Sequence, residues 1–404
     1  MERRRLRFRA VPRRSLAIVV ASATAIGIAS LVYLWPTLTW LHPATVHQIP
    51  QLAAHATYDV VAQSPNEAYV VVRPPGFASS AATLYRTQDG GETWHRLALP
   101  AMAGANGFLI TRLPTGNLFL RSFDVAAGGS HFYLGDGTTW IPITVPDQGS
   151  GTLQMIDSRV GFYVVFGPAL LIYRTQDGGR TWEQRLHLDA GHPSGGGLHL
   201  SDDLTFFTFS DRMHGWLVII PPSWGIVCGT TRSTDSVQQL MVSQDGGANW
   251  IPVSLPNPPQ GSTELGSPVF LGASGAGYLT INAHTYVGAC PPVGLTYAYG
   301  TMDGGATWSG PRRVPAPFFD SPDGLVWWAF DGRQLFRSNN QGQSWKPSKP
   351  KLPAAAVTLQ GLFVVNASAA WSLWSGNQGE ATRQTLLRTT DGGAHWSKIK
   401  LPGG

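Results

Sequence analysis

The chain has 404 residues, of which 13% are charged, and its formal net charge is +5. Seven of the 29 lysine and arginine residues precede residue 15, so the remainder carries 22 basic and 23 acidic residues and is nearly neutral. A neutral body gives no electrostatic reason to expect binding to nucleic acid or to an anionic surface, and we expect no nucleic-acid partner. The 47 glycines are typical of many short strands joined by tight turns.

The N-terminal region has the charge pattern of a single membrane anchor. Residues 1–14 form a basic tail, and residues 15–35 carry no charge. A run of that length, at about 1.5 Å per residue, spans a hydrocarbon core of roughly 30 Å. The next Lys or Arg is Arg73, so the positive-inside rule places the tail in the cytoplasm and the rest of the chain outside it. We therefore predict a single-pass protein of the cell membrane, with residues 36–54 as a short stalk.

A cleaved signal peptide is the alternative interpretation of the same residues. Arg13-Arg14-Ser15-Leu16 resembles the start of a twin-arginine signal. The apolar run is long, however, and a bulky segment that includes Trp35 and Trp40 stands where a small-residue cleavage site would be required. We prefer the anchor, and both interpretations place the following domain outside the cytoplasm.

From residue 55 to residue 404, one phrase of about eight residues returns seven times. It is complete at 87–94 and 175–182, near-complete at 243–250, 301–308 and 389–396, one residue short at 135–140, and at 338–345 it has Asn in place of Asp. Its acidic residue and glycines favour a tight turn, and its Trp is an apolar anchor for the next strand. The acidic (or Asn) residue and the Trp of the seven copies are Asp89 and Trp94, Asp136 and Trp140, Asp177 and Trp182, Asp245 and Trp250, Asp303 and Trp308, Asn340 and Trp345, and Asp391 and Trp396.

A second repeat alternates with the first, and it predicts the fold. Each copy is a strand, a turn and a strand that opens with an aromatic residue, as around Tyr69, Trp216 and Trp371. Two hairpins per unit give four strands, and no amphipathic helical pattern intervenes. The sequence therefore predicts an all-β, seven-bladed β-propeller of four-stranded antiparallel blades, preceded by one N-terminal transmembrane helix. Residues Ser397 to Leu401 are predicted to be the last blade's own strand.

The Ser/Thr-x-Asp-x-Gly-x-Thr-Trp pattern of these phrases resembles the Asp-box (BNR) repeat of the sialidase superfamily. The Asp-Gly-Gly-x-Thr-Trp form in a single propeller is most similar to bacterial BNR-repeat proteins related to photosystem II stability/assembly factors. That resemblance implies a scaffold rather than an enzyme. It also implies that the box residues are structural and lie on the face opposite the one that binds ligands.

The loops of that opposite face differ between blades, and such variation is typical of a binding face. Cys228 and Cys290 fall in its two longest loops, on adjacent blades, so we predict a disulfide in an oxidising compartment; two free thiols are the alternative. A possible binding face includes Trp224, Tyr286 and Tyr297 in the same loops, together with Asp202 and Asp203 in a Gly- and His-rich link at 188–204.

Catalytic and metal chemistry find little support in the sequence. The Phe/Tyr-Arg-Ile-Pro motif that would resemble the first arginine site of sialidases is absent, and most arginines occupy equivalent positions before the boxes. Asp202 and Asp203 are adjacent, so in a strand their side chains point in opposite directions. His187, His192 and His199 match no metal-ligand spacing. We expect no catalytic residues, no cofactor and no metal.

We therefore expect a membrane-anchored, extracytoplasmic propeller that serves as a non-catalytic binding or assembly scaffold for a protein or carbohydrate partner on its variable loop face. A glycoside hydrolase of the Asp-box superfamily is the alternative, and it would require two carboxylates about 5–10 Å apart on that face.

Overall fold

The computed structural model of the chain describes residues 57–73, 82–100, 107–124, 129–147, 151–220, 238–257, 259, 262–271, 275–285, 293–353, 358–376 and 384–402. In these ranges the chain consists of short β-strands, turns and connecting segments. These ranges contain no helix that is long and apolar enough to cross a membrane. The predicted anchor at 15–35 and stalk at 36–54 lie outside the described residues.

The first three sheets each take four consecutive strands from the chain. Blade 1 comprises β1 (Thr57–Ala62), β2 (Ala68–Arg73), β3 (Thr83–Thr87) and β4 (His95–Leu97). Blade 2 comprises β5 (Gly107–Arg112), β6 (Leu118–Asp124), β7 (Gly129–Gly135) and β8 (Trp140–Ile143). Blade 3 comprises β9 (Thr152–Met155), β10 (Gly161–Val165), β11 (Leu170–Thr175) and β12 (Glu183–Leu188).

A two-stranded hairpin, β13 (Ser194–Gly195) and β14 (Leu198–His199), separates blade 3 from the remaining four blades. Blade 4 comprises β15 (Asp203–Phe209), β16 (Gly215–Ile220), β17 (Gln239–Ser243) and β18 (Ile251–Val253). Blade 5 comprises β19 (Ser262–Leu265), β20 (Val269–Phe270), β21 (Gly277–Thr285), β22 (Val293–Thr301) and β23 (Ser309–Arg313), with β19 and β20 both paired to β21. Blade 6 comprises β24 (Phe318–Asp320), β25 (Trp327–Phe330), β26 (Leu335–Ser338) and β27 (Lys346–Ser348). Blade 7 comprises β28 (Thr358–Val364), β29 (Ala370–Ser375), β30 (Gln384–Thr389) and β31 (Ser397–Ile399).

The seven sheets form a propeller of antiparallel blades, which confirms the predicted seven-bladed fold; six blades have four strands as predicted, and blade 5 has β20 in addition. The first strands lie at the centre, since β24 contacts β28 and β1 contacts both β5 and β28. Side chains become more exposed from the first to the fourth strand of a blade: β1 is buried except at its first residue, whereas no residue of β4 is buried. β31 belongs to blade 7, as the sequence predicted, so each blade is built from one continuous stretch of chain.

Antiparallel order divides the loops between two faces. The turns between first and second strands share one face with the boxes, which join third and fourth strands; we call this the box face. The connections between second and third strands, and the entries into each first strand, lie on the opposite face, which we call the loop face. The N–H of Gly90 in the first box donates to the carbonyl of Asn66 in the neighbouring turn at 2.8 Å, and equivalent bonds recur in blades 3 to 7.

The core lies between blades. Aromatic residues near the start of the second strands are buried there, as the sequence predicted, and they form a ring: Tyr69, Phe119, Phe162, Trp216, Tyr278, Trp327 and Trp371. Trp371 and Leu386 of blade 7 pack with Val60 and Val70 of blade 1, so the last interface resembles the others. The ring closes through the same kind of side-chain packing that joins consecutive blades.

One predicted placement differs from the structure. The sequence grouped the link at 188–204 with the loops of the variable face, but its hairpin packs against the box of blade 4. The N–H of Trp250 donates to the carbonyl of Gly196 at 2.7 Å, and Leu198 is buried in the core between blades 3 and 4. A Cβ on Gly197, whose φ is +82°, would lie 2.0 Å from the carbonyl oxygen of Trp250. Glycine therefore permits this approach of two backbones, which the sequence pattern did not reveal.

Candidate functional site on the loop face

On the box face, each acidic box residue is the hydrogen-bond acceptor of its own loop. Asp177 accepts from the hydroxyls of Thr175 and Thr181 at 2.9 and 2.6 Å and from two backbone N–H groups at 2.9 and 3.0 Å. The side-chain and backbone bonds from Thr181 lower the pKa of Asp177 to about 2. Asp89, Asp245, Asp303 and Asp391 repeat the arrangement, Asp136 serves a shorter loop, and Asn340 replaces the carboxylate with an amide.

The box tryptophans serve two kinds of contact. In three blades the indole N–H donates to a carbonyl just beyond the fourth strand of the preceding blade: Trp94 to Lys400, Trp140 to Ala98, and Trp182 to Thr144. Trp250 and Trp396 are buried and donate to a glycine carbonyl in their own boxes. Trp308 is buried and Trp345 is half-buried, and neither indole N–H has a partner among the described residues.

The arginines before the boxes also join blades. Arg388 of blade 7 donates to the carbonyl of Gly90 and to Oδ1 of Asn66 in blade 1, at 3.3 and 2.6 Å. Arg337 makes the equivalent bond from blade 6 to Gly392 of blade 7 at 3.2 Å. These arginines stabilise interfaces between blades and do not form a cluster that could hold a substrate carboxylate.

The two cysteines of the predicted disulfide, Cys228 and Cys290, and two residues of the predicted binding face, Trp224 and Tyr286, lie outside the described residues. The prediction that Tyr297 lies in a loop is wrong: it is half-buried in β22, where it pairs with Ile281 and Arg313 on the neighbouring strands. Asp202 accepts the N–H of His199 at 2.7 Å in a turn, and Asp203 opens β15. Of the described residues, Tyr297 belongs to blade 5, and Asp202 and Asp203 lie at the entry to blade 4.

The loop-face half of the propeller contains a polar group that the sequence analysis did not identify. Arg73 ends β2, forms an ion pair with Asp59 on β1, and donates to the carbonyl of Phe108 in blade 2 at 3.1 Å. Its guanidinium also lies over the ring of Phe108, 5.7 Å from the centroid. The available signal was a single Asp within an otherwise apolar first strand, because such an acid requires a cation nearby.

A second polar group connects blades 2 and 3. Arg121 donates to the hydroxyl of Ser130 at 3.1 Å and lies 5.8 Å from the centroid of the Phe132 ring. Burial lowers the pKa of Arg121 to about 10. Across the interface, Tyr163 donates its hydroxyl to Asp147 and accepts the N–H of Gly151 at 2.7 Å. Both partners of Tyr163 belong to the link that enters blade 3 on the loop face.

Two buried glutamines connect loop-face strand ends to the next blade. The side-chain carbonyl of Gln384 accepts the N–H of Tyr58 at 2.6 Å, and that of Gln238 accepts the N–H of Leu265. The Nε2 groups of both glutamines are buried and have no hydrogen-bond partner in the described part of the chain. This side of the propeller therefore holds donors that the surrounding described structure does not satisfy.

These groups suit binding better than acid–base catalysis. A tyrosine nucleophile must be activated toward deprotonation, but burial and the hydrogen bond to Asp147 raise the pKa of Tyr163. Asp59 is already paired with Arg73, and Asp147 accepts a hydrogen bond. Asp59 and Asp147 thus both have structural partners.

The histidine-rich link has its own arrangement. Asp189 contacts Nε2 of His187 at 3.0 Å and Nδ1 of His192 at 3.2 Å, and all three residues are exposed or half-exposed. His199 contacts Ser201. Across the ranges given above, no group of three or more His, Cys, Asp or Glu residues is arranged to hold a metal ion.

Comparison with known proteins agrees with the repeat architecture. The BNR/Asp-box repeat family model matches residues 85–96. No curated protein sequence matches this chain. Among solved structures, YCF48 bound to D1 peptide is 14% identical, covers 87% of this chain and 97% of its own, and gives a TM-score of 0.47.

Two polysaccharide-processing enzymes are also similar. An ulvan lyase of family PL25 bound to -[GlcA(1-4)Rha3S]- is 12% identical, covers 90% of this chain and 97% of its own, and gives a TM-score of 0.50. An α-L-arabinanase of Penicillium chrysogenum complexed with arabinobiose is 14% identical, covers 87% and 97%, and gives a TM-score of 0.39. At 12% identity the similarity concerns the fold alone, because one propeller fold serves many functions.

Proposed function

Because the chain is a seven-bladed β-propeller built on BNR/Asp-box repeats, we propose that it is a non-catalytic scaffold that binds a protein or glycan partner on its loop face. The observation that carries the proposal is the difference between the polar groups of the two faces. On the box face, the acidic box residues are satisfied within their own loops. Toward the loop face, the described polar groups include an arginine ion pair in blade 1, an arginine in blade 2, a tyrosine in blade 3 and, in blade 7, a buried amide whose Nε2 has no partner among the described residues.

The chemistry of these groups supports recognition of a polar, hydrogen-bonding partner. Arg73 and Arg121 provide cationic donors, and the buried amide of Gln384 retains unused donor capacity among the described residues. Guanidinium groups form directional hydrogen bonds to carboxylates, carbonyls and sugar hydroxyls. Trp224 and Tyr286, which the sequence places in the long loops, and the half-buried Tyr297 of β22 would add apolar contact area.

The decisive experiment is a comparison of two triple variants in affinity capture from extracts of the native cell. We expect the loop-face variant Trp224→Ala/Tyr286→Ala/Tyr297→Ala to keep its melting temperature and to lose the captured partner. The matched variant Gln88→Ala/Gln176→Ala/Gln244→Ala removes three exposed side chains from the boxes and is expected to retain it. Loss of the partner by the box variant alone would move the interface to the box face. Turnover of a fluorogenic glycoside by wild type would support a hydrolase instead.

We also propose that residues 15–35 anchor the chain and that the propeller is extracytoplasmic. The cluster of seven arginines before the apolar run supports this orientation. The protein should stay with membranes in alkaline carbonate, and external protease should reach the propeller of intact spheroplasts. Release by carbonate would favour a cleaved signal.

An extracytoplasmic location would permit the proposed disulfide between Cys228 and Cys290. Alkylation of the denatured, unreduced protein should then modify neither cysteine, and reduction should expose both. Modification of both without reduction would contradict the disulfide.

A further inference from the structure

The five lysines of the chain are distributed very unevenly. They are Lys346, Lys349, Lys351, Lys398 and Lys400, and no other lysine occurs among the 404 residues. All five are exposed. We call this set the lysine rim.

The fold joins the two halves of the lysine rim. Strands β27 and β31 are the outermost strands of adjacent blades. After β27 the chain runs beside the start of β31, where the N–H of Lys351 donates to Ala394 at 2.9 Å and its carbonyl accepts the N–H of Trp396 at 3.1 Å. Beyond β31, the carbonyl of Lys400 accepts the indole N–H of Trp94 in blade 1. The lysines thus follow one continuous edge from blade 6 toward blade 1.

The near-neutral net charge of the propeller conceals this concentration. After the N-terminal tail, the chain has 22 basic residues, which are these five lysines and 17 arginines. It also has 23 acidic residues, so the total charges nearly cancel. The segments 344–353 and 394–402 contain no Asp or Glu. Asp391, the acid closest in sequence to the second segment, is paired with His395 at 2.6 Å. In the described part of the chain, none of the five lysines has a carboxylate partner.

We propose that the lysine rim docks on an anionic phospholipid bilayer. Five cations on the outer edge of the propeller, none of them paired with a carboxylate of the described residues, are complementary to a surface of negative headgroups, which attracts nearby lysines cumulatively. The lysine ammonium is a compact, hydrated charge. It lacks the planar guanidinium with which arginine forms paired hydrogen bonds to a single carboxylate or phosphate, so these lysines suit an extended charged surface. The predicted span at 15–35 and the short stalk after it would hold the propeller within reach of such a surface.

Protection of strand edges is a competing explanation, since lysines on edge strands prevent pairing between molecules. The other blades, however, have fourth strands without any lysine: β4 contains His95 and Arg96, and β8 and β18 each contain a proline. Edge protection therefore does not require the concentration of all five lysines on two neighbouring blades. The two explanations also differ in a measurable property, because edge protection does not depend on the lipid.

Amine labelling tests the proposal directly, because an amine-selective acylating reagent can modify only these five side chains and the α-amino group. The full chain is reconstituted in nanodiscs of phosphatidylcholine and in nanodiscs that also contain about 30% phosphatidylglycerol. We expect acylation of the five lysines, followed by mass spectrometry, to be about threefold or more slower in the anionic discs. Sodium chloride at about 0.5 M should remove the difference by screening. Retention on the neutral discs reports on the anchor separately; if the chain is not retained, the same labelling is done with added vesicles of both compositions.

Matched variants separate the rim from net charge. Lys346→Gln/Lys351→Gln/Lys398→Gln should lose most of the preference for anionic vesicles in a flotation assay while keeping the wild-type melting temperature. Arg180→Gln/Arg212→Gln/Arg333→Gln removes the same charge from three exposed positions elsewhere and should keep the preference. Equal labelling in both lipids, or equal losses in the two variants, would overturn the proposal. Protection of the lysines by RNA or an acidic polysaccharide, without protection by anionic lipid, would assign the rim to another class of partner and overturn it as well.

Discussion

The box face and the loop face are formed by opposite ends of the same strands, yet they satisfy their polar groups differently. On the box face, the same hydrogen bonds recur in most blades, and the arginines and tryptophans join each blade to its neighbour. Toward the loop face, the described polar groups differ more between blades: an ion pair in blade 1, a half-buried arginine in blade 2, and a tyrosine and a carboxylate at the entry to blade 3, while the glutamine bond of blade 7 recurs in blade 4. The comparison teaches that both ends of this propeller join neighbouring blades, but that the bonds of the box face repeat in most blades whereas those of the loop face vary more from blade to blade.

The largest effect that would test this division is loss of a buried aromatic residue at the interface that closes the ring. Trp371 is fully buried between blades 7 and 1, and its indole donates to the carbonyl of Ser64 at 3.1 Å. Replacement of Trp371 by alanine should lower the free energy of unfolding by about 3–5 kcal/mol, because a large cavity opens in a packed core. Urea denaturation measures this loss. Trp94→Ala, at a half-buried box position, should cost clearly less; equal costs would show that closure does not depend on Trp371.

Loss of a polar connection at the same interface should have the next largest effect. Arg388→Ala removes hydrogen bonds to Gly90 and Asn66 and a guanidinium that lies 5.6 Å from the centroid of the Trp371 ring. We expect a loss of about 1–3 kcal/mol in the free energy of unfolding, measured by urea denaturation. Arg388→Lys should recover only part of it, since an ammonium cannot make both bonds in the same geometry. Arg333→Ala, at an exposed arginine, is the control and should change stability little. Full recovery by lysine would show that charge alone matters at this position.

A buried carboxylic acid links three blades at the box-face end of their strands, and its effect depends on pH. Asp320 of blade 6 accepts the N–H of Val364 in blade 7 at 2.7 Å and lies 3.5 Å from the hydroxyl of Tyr278 in blade 5. Desolvation raises the pKa of Asp320 to about 7, although these hydrogen bonds oppose the increase. The unfolded-state pKa is about 3.9. The raised value means that the contribution of Asp320 to stability is fully present below about pH 4 and is lost as the pH rises through about 7.

The variant Asp320→Asn isolates this contribution, because asparagine can accept the same backbone N–H groups but cannot ionise. We expect the melting temperature of wild type, relative to that of the variant, to fall by several degrees between pH 5 and pH 8. Differential scanning calorimetry at both pH values measures the change. A difference that is constant with pH would show that Asp320 does not titrate in this range.

The sequence predicted the fold well because the propeller is a repeat, and each box repeats the information of the others. The turn residues around Asp177 and the buried Trp371 follow from local chemistry and periodicity. The Asp59–Arg73 ion pair and the hydrogen bonds of Arg388 could not be predicted in the same way, because only the folded structure brings these residues and their partners together. The lysine rim was visible in the sequence as a distribution, but its continuity required the backbone bonds of Lys351.

The smallest effect concerns a single box carboxylate, and it tests whether the box requires a charge or only an acceptor. In blade 6, Asn340 already replaces the acid: its Oδ1 accepts the N–H of Ser344 at 3.0 Å and its Nδ2 donates to the hydroxyl of the same residue at 3.0 Å. The variant Asp177→Asn can adopt this geometry if the hydroxyl of Thr181 rotates from donor to acceptor. At pH 7 we therefore expect a change of only a degree or two in melting temperature.

Acid should reveal the difference between the two residues at position 177. The folded-state pKa of Asp177 is about 2, below the unfolded value of about 3.9. The carboxylate's contribution is therefore present above about pH 4 and is lost as the pH falls through about 2, whereas asparagine contributes equally at every pH. Thermal melts of both proteins from pH 7 to pH 2.5 should show wild type losing its small advantage over Asp177→Asn at the acid end. A variant that melts far below wild type at pH 7 would show that the charge itself maintains the loop, and that Asn340 is accommodated only by compensating residues in blade 6.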